Sequence, residues 1–116
     1  MLTIDKLREY GANVDEGLTR CMKNESFYIM LIGKAVEDKK LPLLEQQLRE
    51  KDLSAAFETA HAMKGMYANL ALTPLTKPVS EMTELLRSRT DTDYTALLEE
   101  AKAQYEKLCR IAAEDK

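Results

Sequence analysis

An all-α fold of antiparallel, up-and-down helices is predicted by three observations. Helix formers dominate a chain with two phenylalanines and no tryptophan. No stretch alternates apolar and polar residues with a period of two, whereas the C-terminal segment repeats apolar residues at helical spacing. The loops between periodic segments are short, which favours antiparallel neighbours. At 116 residues the length fits one domain, read as short helices over 1–23 and a bundle over 24–116. A core of this size folds without metal or disulfide.

The elements follow in order. Thr3 to Tyr10 is a short helix stopped by Gly11. Asn13 caps a second short helix, with Glu16 three residues later completing a capping box. Asn24 caps a longer helix from about Glu25 to Lys39, which Pro42 interrupts. The stretch "LLEQQLRE" then forms a separate helix or a kinked continuation. Asp52 caps a helix that runs to about Leu70. Thr73 and Pro74 read as a cap and a first helical position, but Pro78 would clash with the preceding turn. That helix is therefore expected to become regular only near Lys77. The last helix spans about Tyr94 to Glu114, with Tyr94, Leu97, Leu98, Ala101, Tyr105, Leu108 and Ala112 on one stripe.

Composition excludes several functions. The formal net charge is −3, which argues against nucleic-acid binding, since that would show a basic excess. Cys21 and Cys109 read as reduced thiols rather than a disulfide. Together with His61 they offer none of the usual short metal-ligand spacings. The most apolar run, Phe27 to Ile32, falls far short of the roughly 20 residues that span a bilayer. The start "MLTIDKLREYG" lacks the form of an export signal, so a cytoplasmic protein is expected.

The stretch "AHAMKGMYANL" holds the sole histidine, His61, with Lys64 and Gly65 one turn later. Each helical residue turns by about 100°. On that projection Ala56, Thr59, Met63, Met66 and Tyr67 gather on the side of Leu70, opposite His61, as a core stripe. The stripe carrying His61 contains Ser54, Phe57, Lys64, Gly65, Ala68 and Leu72. A lone histidine is more often structural, but this one points away from the apolar stripe. Gly65 costs the helix about 1 kcal/mol relative to alanine. Close packing against another helix would explain it, but clearing space beside the imidazole suits an outward-facing glycine better. Lys64 is either a solvated lysine or a cation that favours a neutral, nucleophilic ring and pairs with phosphate oxygens. Phe57 and Leu72, bracketing the histidine, read as a small docking surface, unless each tucks under a neighbouring helix. Glu58 is placed to bond the ring and fix its tautomer, or is an ordinary surface carboxylate.

At these residues the chain resembles the histidine-containing phosphotransfer (HPt) family. The pattern "AHAMKG" carries the resemblance, flanked by "LREKDLSAAFETAH" before it and "MYANLALTPL" after it. It covers about Asn24 to the C-terminus in architecture and about Glu50 to Leu75 in residue detail. The resemblance implies a four-helix bundle, here with additional short N-terminal helices. It implies that His61 takes a phosphoryl group from, and returns it to, the aspartate of a receiver domain. Lys64 would sit beside the phosphate, and Gly65 would give access. Only these three positions are carried over from the family; by their place in the sequence, Phe57, Ala68 and Leu72 are expected to serve docking, and Arg87 or Thr83 on the next helix to reach toward the phosphate. One departure is Ala71, where the family often has glycine; alanine would lengthen the helix or shift its cap.

The expected partners are a response-regulator receiver domain or a hybrid histidine kinase, with no nucleic acid, no membrane and a monomeric state. No phosphate loop, Walker lysine or kinase signature occurs, so a phosphocarrier without cofactor, metal or ATP site is expected. Two other readings compete. One is a helical adaptor that docks a receiver without being phosphorylated. The other is a metal bundle, for which Glu58 and His61 have one Glu-x-x-His spacing but the chain lacks a second histidine. Met1 and the charged ending "AAEDK" suggest a free-standing protein, although an excised domain would look the same.

Overall fold

The computed structural model describes residues 1–114. Asp115 and Lys116, part of the expected 1–116 domain, lie outside the described residues. Within them the chain is all-helical: α1 (Ile4–Tyr10), α2 (Val14–Arg20), α3 (Glu25–Glu37), α4 (Lys40–Arg49), α5 (Leu53–Asn69), α6 (Thr73–Arg87) and α7 (Thr95–Ala113).

Local chemistry sets most of the starts. The side chains of Thr3, Asn13, Asn24 and Asp52 each accept the backbone N–H three residues on, at 3.1–3.3 Å. Each such cap is worth about 1 kcal/mol. The capping box at Asn13 is only half formed. Glu16 turns instead to Arg20 at 3.3 Å, and the Asn13 N–H donates to Ala71 O at 2.9 Å. Gly11 ends α1 at φ 109°, in the left-handed region open to glycine.

Three expected boundaries move. The break after α3 falls at Asp38 rather than at Pro42. The Asp38 carboxylate accepts from the Lys40 N–H at 2.8 Å and from its ammonium at 2.9 Å, and α4 begins there. Pro42 then sits in the first turn of α4, where a missing N–H costs nothing. The cap of α6 is Leu72 rather than Thr73, and the helix runs regularly through Pro78 rather than starting near Lys77. Pro78 removes one ladder bond near the helix start. Its ring is buried in a stripe with Leu75, Val79, Met82 and Leu86, which offsets that loss. Finally, Ala71 neither lengthens α5 nor caps it. Leu70 is the C-cap, and Ala71 takes up φ 55°, the conformation a glycine would adopt more cheaply.

The helices form a bundle with α5 at its centre. It packs on α4 and α6, α6 packs on α7, and α7 also packs on α3. Ala56, Ala60, Met63 and Tyr67 of α5 are fully enclosed. Leu98, Ala101 and Leu108 of α7 are buried too, while Leu97, Tyr105 and Ala112 are half-buried. Tyrosine hydroxyls tie distant segments together. Tyr28 donates to Leu70 O at 2.8 Å, Tyr10 to Gln104 O at 3.2 Å, and Tyr105 to Val36 O. Cys21 and Cys109 are free thiols. Among the described residues no helix is long and apolar enough to cross a membrane.

Candidate functional site

His61 lies at the middle of α5 and is exposed, whereas Ala60 and Met63 on either side are enclosed. The reason is periodicity. The buried stripe of Ala56, Thr59, Ala60, Met63 and Tyr67 fixes how α5 is rotated, and that rotation turns residue 61 outward. A helix held on two sides by α4 and α6 cannot rotate without exposing that stripe, so the imidazole has a rigid mount.

Phe57, one turn earlier, is half-buried and stacks on the His61 ring, with centroids 5.5 Å apart and planes 11° from parallel. Two guanidinium groups lie over Phe57: Arg87 at 5.2 Å and Arg89 at 5.0 Å from its centroid. Arg89 is also bonded to Ser54 Oγ at 3.2 Å and to Leu86 O at 2.8 Å. Cation–π contacts with the two guanidiniums thereby restrain the ring that stacks on the histidine.

Lys64, one turn after His61, is half-buried, and its ammonium bonds Glu84 at 3.3 Å. Glu84 also accepts from Arg87 Nε and Nη2, each at 3.3 Å. Arg87 first, then Lys64, holds the Glu84 carboxyl below its usual range. Gly65 is exposed, and a Cβ built there would meet nothing within 4 Å. Helix packing therefore does not account for this glycine. Gly65→Ala is expected to raise stability by about 0.5–1 kcal/mol, read as a higher urea midpoint, because a helix former replaces a glycine in open space. An unchanged midpoint would show that the backbone here is not ordinary helix.

Two expected site residues are corrected. Leu72 is fully buried and cannot line a docking surface. It follows the end of α5, and the turn through Ala71 swings it into the core. Thr83 is also fully buried and donates its hydroxyl to Val79 O at 2.7 Å, so it does not reach the histidine face. Pro78 does not disturb the register of α6, and position 83 falls on the apolar stripe. Glu58 is exposed, and no hydrogen bond joins it to His61 among the described residues. Ala68 is half-buried and borders a groove of about 500 Å³ with Glu16, Arg20 and Thr76. Glu84 and Arg89 were not legible beforehand. Glu84 sits three residues before Arg87, a spacing that marks a helical pair, but nothing local ties it to Lys64.

Among the described residues no group of three or more His, Cys, Asp or Glu side chains converges as a metal site. A groove of about 680 Å³ bordered by Arg49, Asp91 and Tyr94 does not include His61. Residues 35–111 match a family model described as the Hpt domain. No curated protein and no solved structure matches the chain.

Proposed function

The chain belongs to the Hpt domain family, and from that premise we propose that it is a phosphorelay intermediate whose phosphoryl acceptor is His61. The observation that carries the assignment is an exposed imidazole on a helix whose neighbouring faces are packed. It is the sole histidine of the chain, so a phosphohistidine here has one possible address.

The chemistry asks little of the protein. Phosphoryl transfer depends on in-line positioning and on neutralising charge at the phosphoryl oxygens. A lone pair on one ring nitrogen attacks the phosphorus of an aspartyl phosphate on the receiver. The N–P bond forms as the acyl P–O bond breaks, and that electron pair leaves on the receiver's carboxylate. The other ring nitrogen keeps its proton throughout. Phe57 restrains the ring plane, Lys64 supplies a cation one turn away, and Gly65 leaves room for the incoming domain. The site lies on an open helix face, and His61 borders neither of the grooves described above, which favours a macromolecular phosphoryl donor over a small ligand.

A transfer complex must form and dissociate quickly, so a small interface centred on Phe57 and His61 is expected. The direct test is incubation with phosphorylated receiver domains of the host, followed by mapping of acid-labile phosphate to the peptide containing His61. Receiver binding without label would favour the adaptor reading, and label elsewhere would overturn the assignment.

Two variants probe the roles. Lys64→Ala is expected to slow transfer or shorten the life of the phosphohistidine several-fold, in line with the loss of one charge-assisted contact. Unchanged kinetics and lifetime would remove Lys64 from the site. Gly65→Gln is expected to block docking while the fold persists, because its side chain fills open space. Undiminished transfer by that variant would show that clearance is not what Gly65 provides.

A further inference from the structure

A chain of contacts runs beside His61, from Phe57 through Arg87 and Glu84 to Lys64. Phe57 stacks on the imidazole, Arg87 covers Phe57, and Glu84 is bonded to Arg87 and to Lys64. Lys64 returns to the histidine face one turn along α5. Glu84 thus holds two cations beside the histidine through contacts of one carboxylate, each near 3.3 Å. We propose that Glu84 is a resident counter-anion, occupying the cations that a phosphoryl group on His61 recruits and thereby setting how favourable the phosphorylated state is.

This inference rests on the phosphocarrier reading and adds a positioning residue to it. Without phosphate, Glu84 already neutralises the Lys64 ammonium and shares the Arg87 guanidinium, so a phosphoryl group must displace a carboxylate to recruit them. When His61 carries a phosphoryl dianion, its oxygens compete with the carboxylate for the same donors. Lys64 has a flexible stem, and its ammonium is half-buried rather than enclosed, so it can exchange one oxygen for the other. Arg87 has more donors than Glu84 uses and is also held over Phe57, so it can keep the carboxylate while Lys64 leaves. Each pair exchanged is solvent-exposed, so the expected effect is modest. It is large enough to adjust a transfer that must run in both directions.

The experiment measures the equilibrium partition of phosphate between His61 and a receiver aspartate, using a receiver loaded with phosphoramidate, at fixed ionic strength. Glu84→Gln keeps the shape of the side chain and removes its charge. It is expected to shift the partition about two- to fivefold toward phosphohistidine, the range spanned by exposed ion pairs. In a Lys64→Ala background the same substitution is expected to lose most of that effect, and Glu84→Asp to return the partition toward that of the unmodified protein. A merely structural role for Glu84 would change thermal stability without this dependence on Lys64. An unchanged partition, a shift toward the receiver, or an equal effect with and without Lys64 would overturn the inference while leaving His61 the acceptor. Absence of label on His61 in the unmodified protein would remove the phosphocarrier reading, and this inference with it.

Discussion

His61→Gln is expected to abolish acid-labile phosphorylation while leaving the thermal midpoint close to that of the unmodified protein. The two halves of this outcome have separate physical grounds. Loss of labelling follows because a carboxamide nitrogen has its lone pair delocalised into the carbonyl and does not attack phosphorus, and the chain has no other histidine to substitute for it. Retention of the fold follows because residue 61 is exposed. Surface substitutions away from caps and buried networks usually change stability by within about 0.5 kcal/mol. The ring's stacking on Phe57 is given up, but Phe57 remains held by Arg87 and Arg89. Persistent labelling would place the acceptor elsewhere. A large fall in midpoint would mean that the imidazole is structural, and the surface reading of α5 would fail with it. Receiver binding is expected to survive in this variant, since Phe57 and Gly65 are unchanged.

What was legible in the sequence was what is decided locally. Asn24 and Asp52 announce helix starts because a short polar side chain satisfies an N–H three residues away, whatever the rest of the chain does. The outward direction of His61 was legible because Ala56, Thr59, Met63 and Tyr67 mark the opposite side through the helical period alone. The misreading of Leu72 has the converse cause. A helical projection holds only while the helix continues, and α5 ends at Asn69, after which Ala71 at φ 55° redirects the chain inward. The place of Thr83 depends on how α6 accommodates Pro78, and a register that runs unbroken through the proline puts residue 83 on the buried stripe. The circuit of Glu84, Arg87 and Arg89 around Phe57 depends on how α6 lies against α5 and on a positive φ at Arg89, neither of which any local pattern encodes.

A second large effect is expected at the glycine that contrasts with Gly65. Gly17 lies within α2, and a Cβ there would fall 2.5 Å from Tyr28 Cε1 and 2.6 Å from both Cζ and Oη. The tyrosine cannot easily move aside. It is fully buried, and its hydroxyl donates to Leu70 O at 2.8 Å, at the C-terminal end of the histidine helix. Burial also pushes its phenol up to about 12, so the donor proton stays in place across the neutral range. Gly17→Ala adds a methyl to a filled space, at a cost of about 1–3 kcal/mol, against a helix-propensity gain of at most about 1 kcal/mol. The net expectation is a fall in the midpoint of several degrees, since 1 kcal/mol corresponds to roughly 4–8 °C in a small domain. Tyr28→Phe removes the hydroxyl and lets the ring withdraw, so the double variant is expected to lose less than the sum of the two single losses. A midpoint that rises in Gly17→Ala would show that α2 yields freely to the methyl. Gly17 and Tyr28 both lie before residue 35, where the family match begins. If the first two helices belong to the same cooperative unit as the bundle, Gly17→Ala lowers a single transition. If they are a separate appendage, a minor early transition appears and the main one stays where it was.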